Sequence, residues 1–117
     1  MRGELTVVTK TYDLVLWLLP HVADFDRRPR FTVGDRIEAA ALDILQMLVE
    51  ASYTRDKRDI LRRANTRLDG LRYLVRLAKD LRLVSIKQYG LAAHAMDAIG
   101  TEIGGWERQQ SRQEGRA

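Results

Sequence analysis

Apolar residues return every three or four positions through four successive stretches of this chain, and nowhere do they alternate for as long as a half-buried strand requires. A period of 3.6 collects such residues on one face of a helix, so the pattern calls for amphipathic helices whose apolar faces must cover one another. The fold class is all-α. Only two prolines interrupt the 117 residues, both in the first third, so long helices are allowed almost everywhere.

In the first stretch Val8, Tyr12, Val15, Leu18 or Leu19, Val22 and Phe25 form the stripe, with Pro20 inside it. A proline there removes one hydrogen bond and crowds the carbonyl of Leu16, which predicts a kink or a helix that restarts. Residues 26–31 are polar and contain Pro29, which disfavours helix at Arg28, so they read as the first connection. Thr32 is then the expected N-cap, with Asp35 near the positive end of the helix dipole. The second helix should bury Ile37, Ala41, Ile44, Leu48 and Ala51 and end near Tyr53. The third, over about 55–81, should bury Ile60, Ala64, Leu68, Leu71, Val75 and Ala78. Ser85 and Gln88 form a capping-box pattern for the fourth, whose stripe is Ile86, Tyr89, Ala93, Met96, Ile99, Ile103 and Trp106. The polar stretch 109–117 is expected to fray. Short connections place consecutive helices side by side, so the architecture expected is an antiparallel up-down-up-down four-helix bundle, one domain over 1–117.

Composition narrows the chemistry. No cysteine is present, which excludes disulfides, thiolate metal sites and cysteine nucleophiles. The first residues show neither a secretory apolar region nor an apolar run of membrane-spanning length, so the expected setting is cytoplasmic, without a membrane partner. His21 and His94 are far apart and lack spaced carboxylate partners, so structural or surface roles are expected and no metal is assigned. No glycine-rich phosphate loop, nucleophile elbow or acidic pair is present. The chain is read as a non-enzyme without catalytic residues or cofactors.

Charge is where the sequence is most informative. Residues 55–82 hold ten cations against four anions, while the rest holds ten against twelve, so the net charge of +4 arises in one helix. At about 100° per residue, Arg55, Arg58, Arg62, Arg72, Arg76 and Lys79 fall in an arc of roughly 120° beside the apolar stripe, with Arg63 and Arg67 on the other flank. Such a ridge suits a phosphate backbone, and a solvated face with local Asp–Arg pairs accounts for it equally well. Trp17 and Trp106 signal core or interface packing. Gly100 and Gly104 share a face that would admit a second helix, and Gly104 with Gly105 also suits a fraying last turn.

Several ordered blocks carry a resemblance. They are the run from Lys10 to His21 (KTYDLVLWLLPH), that from Arg30 to Glu38 (RFTVGDRIE), and that from Glu50 to Lys57 (EASYTRDK). Leu61 to Asn65 (LRRAN), Leu71 to Lys79 (LRYLVRLAK) and Ile99 to Trp106 (IGTEIGGW) complete the series. Together they resemble the accessory variability determinant (Avd) family of diversity-generating retroelements over about 10–106. That family is similar in fold to the four-helix proteins encoded within intervening sequences of bacterial 23S ribosomal RNA genes, the main alternative; a purely protein-binding helical adaptor is the third.

The resemblance implies a four-helix protomer that assembles as a homopentameric barrel and associates with the element's reverse transcriptase. Together they support mutagenic retrohoming, in which template RNA is copied into mutagenised cDNA. It also implies contacts to RNA or DNA phosphates, or to the polymerase, at Arg72 and Arg76, with Lys79, Arg62 and Arg63 as weaker candidates, and the charge ridge adds Arg58 and Arg55. Arg72 and Arg76 lie off the apolar stripe, so removing them is expected to leave the fold intact. A homo-oligomer, most simply a pentamer, is expected to bury Trp106, Gly104 and Gly100 between protomers.

Overall fold

A computed structural model describes the backbone of residues 2–115 and the side chains of residues 6–113. Four long helices, Arg2–Ala23, Asp35–Tyr53, Arg58–Asp80 and Ile86–Gly115, account for most of it, and the described residues contain no strand. Consecutive helices lie side by side, and the fourth returns against the first to close a four-cornered bundle of 52 × 23 × 19 Å. Lys10, in the N-terminal half of the first helix, pairs with Glu102 in the C-terminal half of the fourth at 2.9 Å, as an antiparallel arrangement requires. No helix is long and apolar enough to cross a membrane among the described residues.

The core follows the periodicity most closely in the middle two helices. Ile37, Ala41, Ile44, Leu48 and Ala51 are all buried, and so are Ile60, Ala64, Leu68, Leu71, Val75 and Ala78. In the first helix Val15, Leu18, Val22 and Phe25 are buried as expected, but the N-terminal part of the stripe is turned by one residue. Val7, Thr11 and Leu14 are buried where Val8 and Tyr12 were expected, and Tyr12 is 55% exposed. Thr11 can occupy a core position because its hydroxyl donates to the carbonyl of Val7 at 2.8 Å, leaving no unsatisfied polar group. In the fourth helix the stripe starts at Ala92 rather than Ile86, which is 82% exposed. The same stripe extends past Trp106 to Gln110, also buried, and the helix continues to Gly115, so the stretch expected to fray is helical as far as it is described, residues 116–117 lying outside the described residues.

The helix ends show how the sequence sets the corners. The first helix runs through Pro20 without a restart. After it, Asp26 takes the extended conformation of a helix start, and Arg27–Pro29 are already helical. Pro29 thus sits in a first turn, where its missing N–H has no intrahelical acceptor to lose. A π-helical turn, Arg30–Gly34, then leads into the second helix. Thr32 is therefore inside helical structure, and its hydroxyl bonds back to the carbonyls of Arg28 and Pro29, both at 3.3 Å, instead of capping a helix. At the far end Thr54 is extended, and the Lys57 ammonium donates to the carbonyls of Ala51 (2.8 Å) and Thr54, closing the open end of the second helix. The third helix begins only at Arg58, so Arg55 lies in the connection and not on the helical ridge.

The third helix ends in a Schellman motif. Leu83 N–H donates to Ala78 C=O at 2.8 Å and Arg82 N–H to Lys79 C=O at 2.9 Å, with Arg82 left-handed at φ 62°. That conformation favours glycine and strains any residue with a Cβ by about 1 kcal/mol. Arg82→Gly is accordingly expected to stabilise the fold by about 1 kcal/mol, read as a higher urea midpoint with an unchanged m-value. The capping box forms as its residues suggest: Ser85 N–H donates to Gln88 Oε1 at 2.8 Å, and Gln88 N–H to Ser85 Oγ at 3.0 Å.

Candidate nucleic-acid interface

The third helix turns one face to the core, so its cations emerge on two flanks and on the outer face. The structure divides them by partner. Asp59 binds Arg63 at 3.0 Å and Arg62 at 3.4 Å. Arg67 reaches Asp43 on the second helix at 2.9 Å. The Arg58 guanidinium forks over Asp56, at 3.0 and 2.9 Å, and these hydrogen bonds hold the Asp56 carboxyl at about 2, ionised at neutral pH. These pairs are exposed and screened by solvent, so they tie the surface together only weakly. A phosphate could compete for their arginines, although each already has a carboxylate beside it.

Arg72 is placed differently. Its side chain, 34% exposed, crosses to the fourth helix, binding Asp69 at 2.7 Å and approaching Asp97 Oδ1 and the Met96 carbonyl, both at 3.4 Å. The crossing passes over Gly100, where a Cβ would stand 2.6 Å from the guanidinium and 3.4 Å from Leu68 Cδ2. Without a side chain at Gly100, the guanidinium can reach the Met96 carbonyl one turn earlier. Gly100 and Arg72 therefore form one contact between the third and fourth helices of a single protomer.

Arg76, one turn further along, is exposed and makes no ion pair among the described residues. It shares a groove of about 420 Å³ with Asp69, Arg72, Tyr73 and Tyr89. A second groove, about 760 Å³, continues from Tyr89 past Lys79 and Arg82 to Ile86. Lys79 lies 4.6 Å from the Tyr89 ring centroid, a cation–π contact, and 3.5 Å from Asp80. The two grooves meet at Tyr89, so Arg76 and Arg82, neither in an ion pair among the described residues, stand along one trough at the junction of the third and fourth helices.

Of the residues singled out from sequence, Arg72, Arg76 and Lys79 come together in this trough. Arg62, Arg63 and Arg58 are paired elsewhere along the third helix, and Arg55 is exposed before it starts. Trp106 is buried in the protomer's own core, with Lys57 Nζ 5.7 Å from its ring centroid. Gly104 and Gly105 lie within the continuous fourth helix under Arg108, whose Nη atoms would be 3.5 and 3.7 Å from added Cβ atoms. Sequence reasoning passed over Tyr73, Tyr89 and Arg82. The available signal was the alternation Arg72-Tyr73-Leu74-Val75-Arg76, in which an aromatic residue stands among cations on a polar face.

The helical bundle, its basic third helix and the blocks from Lys10 to Trp106 can be compared with known proteins. No curated protein matches the chain. A family model described as bAvd-like matches residues 5–110, from the first helix into the last turns of the fourth, and the chain therefore belongs to the bAvd-like family, an Avd-type accessory protein.

Proposed function

We propose that this protein serves a diversity-generating retroelement as a non-enzymatic partner of its reverse transcriptase, supporting mutagenic retrohoming by holding RNA or cDNA through phosphates along the trough. The observation that carries this reading is Arg76, a solvent-facing guanidinium without a carboxylate partner among the described residues, set in a groove with further cations. Arg is suited to the task because its planar fork matches phosphate oxygens and sheds water readily. Arg82 extends the positive surface. Lys79 contributes charge while also supporting Tyr89, and Arg72 contributes charge from a fixed position.

Assembly into a homo-oligomer, a pentamer in this reading, would present several troughs at once. Tyr12 and Leu16 on the first helix, and Leu42 and Val49 on the neighbouring second helix, are exposed apolar side chains that a second copy could cover. Light scattering tests the assembly, and a monomer at micromolar concentration would refute it.

Co-purification with the reverse transcriptase of a diversity-generating retroelement is the direct test of the partnership. For nucleic acid, log affinity for RNA should fall linearly with log salt, by about 0.7–0.9 per phosphate contacted. Arg76→Ala should flatten that slope by about one contact per engaged protomer without moving the melting temperature. Absence of any salt-dependent binding would return the protein to the class of helical adaptors.

A further inference from the structure

The proposed function requires a cationic surface and is indifferent to whether the strand is paired. The trough is more particular than that. Tyr73 is 71% exposed on the outer face of the third helix, one turn from Arg76, and lines the same groove. A large aromatic ring held this far into solvent gains nothing for the bundle from its exposed area. Its neighbour across the groove, Tyr89, is half-buried with the Lys79 ammonium on its ring, so it forms a wall and Tyr73 the open platform. Continuing the trough, Ile86 is an exposed apolar residue at the start of the fourth helix. Apolar and aromatic groups from the third and fourth helices thus stand beside Arg76, in the last turns of the third helix, and Arg82, in the turn that follows it.

Resting on the nucleic-acid reading above, we infer that this trough selects unpaired strands, with Tyr73 stacking on a base while Arg76 and Arg82 hold the flanking phosphates. The chemistry separates strand from duplex. A single strand can turn a base out onto a ring, and base–aromatic stacking is tolerant of sequence because every base has a π-face. A duplex keeps its bases stacked on each other and offers this surface only phosphates, which Tyr73 cannot improve. The carboxylates in the trough, Asp69 and Asp80, sit beside Arg72 and Lys79, and Arg72 is shared with Asp97, so the charge left to attract a phosphate there is chiefly that of Arg76 and Arg82.

The test uses the full chain, a fluorescein-labelled unstructured RNA, and the same RNA annealed to its complement, with binding read by anisotropy across a salt series. Tyr73→Ala is expected to weaken single-strand binding roughly five- to a hundredfold. It should leave duplex binding and the salt slope unchanged, and Tyr73→Phe should restore the affinity. Because Tyr73 is exposed, circular dichroism and melting should match the parent protein. Equal binding of strand and duplex by the parent, or Tyr73→Ala with unaltered strand affinity, overturns the inference. If Arg76→Ala still flattens the salt slope in that case, the phosphate reading stands without it; if Arg76→Ala also changes nothing, both fall. Loss of reverse-transcriptase capture by Tyr73→Ala with RNA binding intact would make the ring a protein contact and equally overturn the inference.

Discussion

Arg72→Ala is expected to lower stability by about 1–2 kcal/mol, a fall of roughly 4–8 °C in melting temperature, whereas Arg76→Ala should leave melting where it is. The two residues are one turn apart on the same helix, and a helical wheel treats them alike. Their surroundings do not. Arg72 bridges to Asp69, Asp97 and the Met96 carbonyl, so its bonds join two helices, while its buried Nε, without a partner among the described residues, offsets part of their contribution. Truncation would remove those bonds and leave the space above Gly100 unfilled. The loss stays small because a third of the side chain is still in water, where ion pairs are screened. Measured together, melting and RNA affinity should separate the pair: Arg72→Ala loses stability first, and Arg76→Ala loses affinity alone. Equal melting for Arg72→Ala and the parent would show that the bridge contributes nothing and that Arg72 is as available to phosphate as its neighbour.

That contrast marks where the sequence stops being sufficient. The all-helical class, the four long helices and the main stripes of the middle two could be read from period alone, because apolar residues recur at helical spacing from Ile37 to Ala51 and from Ile60 to Ala78, although Ala40 and Leu61 are buried as well and Leu42 and Val49 are apolar yet exposed. The outer two helices were less determinate. In the first, Val7 and Val8 are equally apolar and Tyr12 competes with Thr11, and a threonine whose hydroxyl bonds its own helix can be buried as cheaply as a tyrosine can be exposed. At the start of the fourth, Ile86 is apolar yet exposed, because it borders the open groove beside Lys79 and Asp80 and not the core. Pro29 misled for a different reason: a proline disfavours helix before it, but a first turn tolerates both proline and its predecessor once Asp26 supplies the extended residue. The confinement of charge to the third helix was legible from counting. Which cations are free was not, since the partners Asp43 and Asp97 lie 24 and 25 residues away along the chain.

The glycines give the second large effect, and with opposite signs at different positions. Gly70 and Gly90 lie within helices, and an added Cβ at either meets nothing within 4 Å. Alanine at each should therefore gain most of the propensity difference, about 0.8–1 kcal/mol in a helix interior, partly by restricting the unfolded chain. Since neither methyl touches a neighbour, the effects should add, giving about 1.5–2 kcal/mol for Gly70→Ala with Gly90→Ala. Gly34 receives the same propensity gain but in another setting. It is buried in the π-helical turn, where a Cβ would stand 2.9 Å from Val22 Cγ1 and 3.5 Å from both Phe25 Cδ2 and the Pro29 carbonyl. Val22 is fully buried and β-branched, so it has no free rotamer through which to yield. Overpacking of this kind costs about 1–3 kcal/mol, which exceeds the propensity gain, so Gly34→Ala should be destabilised overall. Urea midpoints for the three variants decide the matter. A Gly34→Ala protein as stable as Gly70→Ala would mean that the first helix and the π-helical turn can move apart freely, and that the close approach at Val22 does not fix how the second helix leaves the first.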